Sequence, residues 1–212
     1  MEMFYHCLLL AVVAFWLGAC PFSVWVGKWL LHKDIRQYGD GNPGAYNVFR
    51  AGGRKTGVLA MVLDIGKGIP FVAIAHYQLG LPTAAVMVVG LSAILGHAYT
   101  PVLGFKGGKA LGVTGGVLIA LPQHEILLSV LVFLALSSLL VVPDAWRVVS
   151  GMTGSLVYLT VTHGLSLEPL FMVCVIAILA AKHYNDLKVM PRFGGKLGSR
   201  LRPRRTADLG QQ

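Results

Sequence analysis

The chain has 212 residues, of which 55% are hydrophobic and only 13% are charged, and its formal net charge is +9. This balance excludes an ordinary soluble domain, in which about 25% of the residues are charged. The basic residues lie between apolar runs rather than along a surface rich in aromatic residues, so we expect no nucleic-acid partner. Cys7, Cys20 and Cys174 lie inside apolar stretches without metal-ligand spacing, so we expect no metal or other cofactor.

The apolar runs predict an all-α, polytopic membrane bundle of about seven transmembrane helices. Three runs are long enough to cross a hydrocarbon core of about 30 Å, and they cover residues 4–26, 58–79 and 83–103. After Lys109 the apolar character continues to Ala181. Three breaks divide this stretch into four further helices, and they fall at residues 121–125, 143–147 and 163–169.

The distribution of Lys and Arg predicts the orientation of the bundle. Basic residues follow the first, third, fifth and seventh predicted spans, all on one side: Lys33, Arg36, Arg50, Arg54, Lys55, Lys106, Lys109, Arg147 and the residues from Lys182 onward. The other turns contain no Lys or Arg. We therefore expect an external N-terminus and a cytoplasmic C-terminus. Residues 1–191 form one predicted domain, and residues 192–212 form a basic tail attracted to anionic lipid.

The loop after the first span has the composition of an anion-binding turn. Its glycines, including Gly41 and Gly44, allow sharp turns that aim several N–H groups at one point. Asn42, Asn47 and Arg50 add side-chain donors. An ordinary turn-rich connector has a similar composition and stays open as the alternative.

The loop after the third span contains a second candidate phosphate site, formed by His97, Lys106, Gly107, Gly108 and Lys109. Two cations beside paired glycines, directly before an apolar helix, favour phosphate binding. The segment is not a P-loop, because its glycine spacing is one residue short and Ala110 stands where Ser or Thr is required. The alternative is that the lysines only set the topology and the glycines only pack.

Two further groups are candidates for the site. Asp64 and Lys67 share one helix face inside the second span, where a charged pair is either functional or a structural ion pair. At the end of the last span, His183 is a candidate proton carrier, and Asn185 and Lys188 are candidate anion contacts.

Taken in order, these motifs resemble the bacterial acyl-phosphate:glycerol-3-phosphate acyltransferases, the PlsY family, over nearly the whole chain. The matching residues are Gly41-Asn42-Pro43-Gly44-Ala45 with Asn47 and Arg50, Asp64 with Lys67-Gly68, Gly96-His97 with Phe105-Lys106-Gly107-Gly108-Lys109, and His183.

The resemblance implies a seven-helix enzyme of the bacterial inner membrane whose active site faces the cytoplasm. It would transfer a fatty acyl group from acyl-phosphate to glycerol 3-phosphate, giving lysophosphatidic acid and phosphate, without a metal or an acyl-thioester. The resemblance implies catalytic roles for Lys109, His183 and Asn47. The implied substrate-binding residues are Gly41, Asn42, Gly44, Asn47, Arg50, Lys67, His97, Lys106, Gly107, Gly108, Lys109, His183 and Asn185. The family has no obvious protein general base, and the phosphates of its substrates are thought to assist proton transfer.

The chain departs from the family pattern at four of these motif positions, with Asp40 for Ser, Tyr46 for Thr, Lys182 for Arg and Asp186 for Asn. A carboxylate at position 40 should repel phosphate unless it pairs with Arg36 or Arg50. These changes leave open the alternative that the protein is a divergent relative that acts on another phosphorylated acceptor. A non-catalytic anion- or lipid-binding protein, or a transporter, is a second alternative. No His is separated from an Asp by four intervening residues, the pattern that the soluble-type glycerolipid acyltransferases use.

Overall fold

The computed structural model describes residues 1–193, so the predicted basic tail lies outside the described residues except for Arg192 and Phe193. Within the described part, the only β structure is a two-residue antiparallel pair that joins Val141–Val142 (β1) to Arg192–Phe193 (β2). The remaining regular structure is helical, which confirms the all-α prediction.

The bundle contains both long and short helices. In the first half of the chain these are α1 (Glu2–Ala19), α2 (Phe22–Leu30), α3 (Ala45–Gly52), α4 (Arg54–Gly66), α5 (Pro70–Ala73) and α6 (Thr83–Ala98). In the second half they are α7 (Leu111–Ala120), α8 (His124–Leu140), α9 (Asp144–His163), α10 (Leu167–Lys182) and α11 (Tyr184–Leu187). Two 3₁₀ turns, Ile35–Gln37 and Pro101–Leu103, and a π-helical turn, Ile74–Gln78, complete the regular structure of the described part.

Helices α7 to α10 confirm the four helices predicted after Lys109 and the breaks between them. The first two predicted spans differ from the prediction, because each consists of more than one helical piece. The first is interrupted at Cys20 and Pro21, between α1 and α2. Proline lacks the N–H that would continue the hydrogen-bond ladder, so α2 begins directly after Pro21. The second is interrupted after Gly66 and restarts at Pro70, which is the first residue of α5.

Within residues 1–193, three helical segments are long and apolar enough to cross a membrane: Glu2–Leu30, Arg54–Gln78 and Thr83–Leu103. Helices α1 and α6 form one of the closest packings in the bundle. A Cβ atom at Gly18 would overlap the carbonyl of Ala93, and one at Gly96 would overlap the carbonyl of Phe15. Small residues allow such close approach in lipid. Large apolar side chains such as Leu128, Val161 and Leu170 face outward, as expected of a lipid-facing surface.

The predicted first loop contains a helix that the sequence analysis did not predict. Helix α3 begins at Ala45, so Asn47 and Arg50 lie on a helix and only the segment before Gly44 is a turn. Asn47 and Val48 face inward and Arg50 faces outward. The positive φ angles of Gly39 and Gly41, +59° and +74°, form the turn that precedes this helix.

Candidate active site

Two neighbouring cavities share part of their walls. One has a volume of about 500 Å³ and a mainly apolar wall from α4, α7, α8 and α9, with side chains such as Met61, Leu118, Leu134 and Met152. We call it the apolar cavity. The other has a volume of about 420 Å³ and is lined by the cations Arg36, Lys106 and Lys182, among others. We call it the polar cavity. Both cavities are lined by Asp40, Asn42 and Lys109.

Lys109 lies between two carboxylates at this shared wall. Its Nζ is 2.6 Å from Oδ2 of Asp40 and 2.6 Å from Oδ2 of Asp186. Lys109 lies in the irregular stretch before α7 and is followed by Ala110, whose φ of +61° is unusual for a residue other than glycine. Such backbone conformations occur preferentially at functional sites. Through its contacts with Asp40 and Asp186, the ammonium group of Lys109 connects the first loop to α11.

The ion pair keeps Asp40 and Lys109 charged. Burial opposes ionisation of Asp40, but hydrogen bonds from Lys109 and from the Asn42 backbone outweigh it, and the pKa of Asp40 lies below its usual value. Burial alone would lower the pKa of Lys109, but its hydrogen bonds to Asp186 and Asp40 raise it instead. Two carboxylates contact the ammonium group of Lys109, which has three N–H donors, so a phosphate that takes more than one donor competes with these carboxylates.

Asn47 holds the turn before α3 in place. Its Nδ2 donates to Oδ1 of Asp40 at 2.8 Å and to the carbonyl of Asn42 at 2.8 Å, and its side chain is buried. The backbone N–H groups of Gly41 and Gly44 donate to the carbonyls of Tyr38 and Asn42. The glycine N–H groups that the sequence suggested for an anion are thus used within the loop.

His183 lies at the end of α10 and lines the apolar cavity, while Asn185 lines the polar cavity. The imidazole of His183 is buried, and its Nδ1 is 3.7 Å from Oδ2 of Asp186. Lys188, a predicted anion contact, is 3.2 Å from Oδ1 of Asn185. The predicted third segment therefore extends across both cavities.

Asp64 and Lys67 form a buried ion pair, with 2.9 Å between Nζ of Lys67 and Oδ1 of Asp64. Ser23 donates to Oδ2 of Asp64 at 2.5 Å, and Lys67 donates to the carbonyl of Cys20 at 2.9 Å. His97 lies nearby, with its Nδ1 3.9 Å from Oδ1 of Asp64. The cluster joins the break between α1 and α2 to the end of α4 and to α6, and Lys67 contributes to neither of the two large cavities.

The other predicted site residues occupy different places. Lys106 and Gly107 line the polar cavity, whereas Gly108 packs against the imidazole of His97 and donates its N–H to the His97 carbonyl at 3.1 Å. Arg50 lies outside the walls of both large cavities, with its guanidinium 5.9 Å from the centre of the Tyr46 ring.

Sequence analysis missed the partners of the two unusual carboxylates. The sequence analysis named Arg36 and Arg50 as residues that could neutralise Asp40, but Asp40 pairs with Lys109 instead, and the guanidinium of Arg36 is 2.8 Å from Asp34. Asp186 contacts the same lysine. The sequence does contain a sign of these contacts, because Asp40 and Asp186 place two carboxylates in motifs of one predicted site that is otherwise rich in cations.

Taken together, a helical bundle with an apolar outer surface and a polar cavity beside an apolar one defines a membrane protein suited to a ligand with an anionic head and an apolar tail. The family model described as glycerol-3-phosphate acyltransferase matches residues 8–191. The chain belongs to the glycerol-3-phosphate acyltransferase family.

Curated relatives carry the same description. A Pseudomonas aeruginosa glycerol-3-phosphate acyltransferase is 34% identical over 171 residues, which cover 74% of this chain and 88% of that protein. An Enterococcus faecalis relative is 38% identical over 125 residues, or 59% of this chain. The aligned part spans 57% of the Enterococcus faecalis protein and 63% of a Limosilactobacillus reuteri relative, less than two thirds of each.

The fold is also similar to crystal structures of PlsY (YgiH), described as an integral membrane glycerol 3-phosphate acyltransferase. The glycerol 3-phosphate form has 29% sequence identity and a TM-score of 0.75, and the match covers 92% of this chain and 99% of that one. The lysophosphatidic acid form has 30% identity and a TM-score of 0.72, with coverage of 86% and 90%.

Proposed function

We propose that this protein transfers a fatty acyl group from acyl-phosphate to glycerol 3-phosphate, giving lysophosphatidic acid and phosphate. The observation that carries the proposal is the position of Lys109 in the wall of both cavities. An apolar tail in one cavity and a water-soluble acceptor in the other would meet at this lysine. The names of the relatives and of the PlsY structures support the acyltransferase activity.

The acyl-phosphate donor fits the apolar cavity by its shape and chemistry. Its tail would lie among the side chains of α7, α8 and α9, and its phosphate would reach Lys109 and Asn42 at the shared wall. Burial of each CH₂ group of the tail contributes about 0.8 kcal/mol. The tail therefore supplies binding energy, and the polar contacts set the position of the reacting carbonyl.

The acceptor fits the polar cavity, where Lys106, Lys182 and Asn185 supply positive charge and an amide. Phosphate from either substrate competes with Asp40 and Asp186 for the three N–H donors of Lys109. In this scheme Asn47 holds the turn that carries Asp40 and Asn42.

The chemistry requires positioning more than a strong nucleophile, because acyl-phosphate is already activated. The acceptor hydroxyl attacks the acyl carbonyl, negative charge develops on the carbonyl oxygen, and the bond to the phosphate oxygen breaks. Holding both anions side by side lowers the barrier. Each well-aimed oxyanion donor is worth about 2.7–4 kcal/mol. Lys109 and His183 are the proposed catalytic residues, since both line the apolar cavity.

The proposed topology has seven spans, an external N-terminus and an active site that faces the cytoplasm from the bacterial inner membrane. The positive-inside rule supports it. Cysteine labelling tests it in a background without the three native cysteines: Lys55→Cys should react with an impermeant reagent only from the cytoplasmic side, and Glu168→Cys only from the outside. The opposite labelling pattern would invert the topology.

Comparison of donors tests the proposed reaction. Purified protein in lipid is offered glycerol 3-phosphate with either palmitoyl-phosphate or the thioester palmitoyl-coenzyme A. We expect lysophosphatidic acid from palmitoyl-phosphate alone. Product from the thioester alone would keep the acyltransferase class and overturn the proposed donor.

A further inference from the structure

The side chain of His183 has the burial and the position in the cavity wall that are expected of a general base. It is only 6% exposed, it lines the apolar cavity, and among the described residues neither of its ring nitrogens has a hydrogen-bond partner. A buried polar group without a partner is costly, and a catalytic role is one explanation for its presence. The nearest acceptor is Asp186, one helical turn further along the chain, with its Oδ2 3.7 Å from Nδ1 of His183.

Asp186 is shared between two partners. The same Oδ2 atom is 2.6 Å from Nζ of Lys109, so the lysine holds the carboxylate. The distance of 3.7 Å to His183 is too long for a hydrogen bond. A phosphate that takes the N–H donors of Lys109 removes this hold, and a small rotation then brings the carboxylate within hydrogen-bond range of Nδ1. Hydrogen bonds of catalytic groups often tighten in this way when substrate binds.

We propose that Asp186 is a positioning residue that holds His183 as the general base for the acceptor hydroxyl. The inference rests on the proposed acyl transfer. Asp186 accepts the Nδ1–H of His183, which leaves Nε2 unprotonated and able to take a proton. The acceptor oxygen bonds to the acyl carbon, its proton moves to Nε2, and the bond from the acyl carbon to the phosphate oxygen breaks. The imidazolium then returns the proton to the departing phosphate.

The proposal gives a role to a departure from the family pattern. Asn, which the resemblance places at position 186, also accepts a hydrogen bond from Nδ1–H but carries no charge to stabilise an imidazolium. The carboxylate does both. This chain would thus carry a base of its own, whereas the substrate phosphates are thought to assist proton transfer in the family.

The charges around His183 give the expected pH dependence. Burial and then the charge of Lys109 lower the pKa of His183, whereas Asp186 and, more weakly, Asp40 act to raise it. The imidazole is therefore neutral at neutral pH and ready to accept a proton. Activity should fall as the pH drops through the pKa of His183. Removal of the Asp186 carboxylate should lower this pKa further and move the acid limb of the pH profile to lower pH.

Steady-state kinetics with palmitoyl-phosphate and glycerol 3-phosphate over about pH 5 to 9 test the proposal. We expect Asp186→Asn to lower kcat about 10- to 100-fold and to change KM for glycerol 3-phosphate less than about threefold. Its acid limb should move to lower pH. Glu125→Gln is the matched control, because Glu125 pairs with His163 at 2.9 Å and neither residue lines the two cavities. It should leave kcat and the acid limb unchanged.

Two further variants separate positioning from packing. Asp186→Glu retains a carboxylate and should recover part of kcat, and in a His183→Asn background Asp186→Asn should have no further effect. An unchanged acid limb and kcat in Asp186→Asn, with an active wild type, would overturn the inference alone. A wild type that makes no lysophosphatidic acid would overturn the proposed function together with it.

Discussion

Substitution of one partner of the buried Asp64–Lys67 ion pair should destabilise the protein far more than substitution of one partner of an exposed ion pair. The Lys67 side chain is 1% exposed and that of Asp64 is 6% exposed. Asp64→Asn leaves a buried ammonium without its carboxylate, and Lys67→Met leaves a buried carboxylate without its ammonium. Removal of one partner of a buried pair costs about 3–5 kcal/mol. The double variant replaces both charges and should recover most of that loss.

The exposed pair Arg36–Asp34 provides the matched control. Its side chains are 49% and 35% exposed, so Asp34→Asn should cost less than about 1 kcal/mol. Unfolding is followed by tryptophan fluorescence during titration of dodecyl sulfate into mixed micelles, and the midpoints give the differences in free energy. Single variants at positions 64 and 67 that match Asp34→Asn would refute the argument. So would a double variant less stable than both single variants.

Four further predictions concern helix packing, the activity and the pH dependence that Asp40 controls, and the phosphate contacts. Gly116→Ala should lower the thermal midpoint of unfolding, because its Cβ would overlap the Ile65 carbonyl, whereas Gly115→Ala, with nothing within 4 Å, should match or exceed the wild type. Asp40→Ser should raise glycerol 3-phosphate acylation measured by product formation, since it frees a donor of Lys109; a fall would count against this. The stabilising contribution of Asp40 should be present above about pH 4 and lost as the pH falls through its lowered pKa, as acid unfolding scans of wild type and variant would show. Turnover assays of folded protein should show large losses for Lys109→Ala and Asn42→Ala, whose side chains line both cavities, and a smaller loss for Arg50→Ala, which lies outside them. Near wild-type turnover in Lys109→Ala and Asn42→Ala would contradict the proposed site.

The helices after Lys109 were predictable because polar, glycine and proline residues interrupt a nearly continuous apolar run. The break at Pro21 was not predicted, because the run is apolar on both sides and composition alone does not show whether a proline kinks or ends a helix. Helix α3 was missed for a related reason. Its eight residues follow a glycine-rich turn, and only tertiary packing of Asn47 and Val48 stabilises so short a helix.

The site was predictable in its residue types and only partly in its contacts. Asp64 and Lys67 are three residues apart on one helical turn, so local spacing predicted their pairing correctly. Lys109, Asp40 and Asp186 are far apart in the chain, and their contact depends on how the first loop and α11 are arranged around α7. The proximity of His183 to Asp186 was missed because the acyltransferase pattern has four residues between His and Asp, whereas only two residues separate His183 from Asp186.

The most direct test of the central claim follows both products at once. Purified protein in lipid is incubated with palmitoyl-phosphate and glycerol 3-phosphate, and lysophosphatidic acid and free phosphate are measured together. The account predicts that the two appear in equal amounts. Phosphate release without lysophosphatidic acid would show a working donor site with another acceptor, and the absence of both products would contradict the proposed reaction.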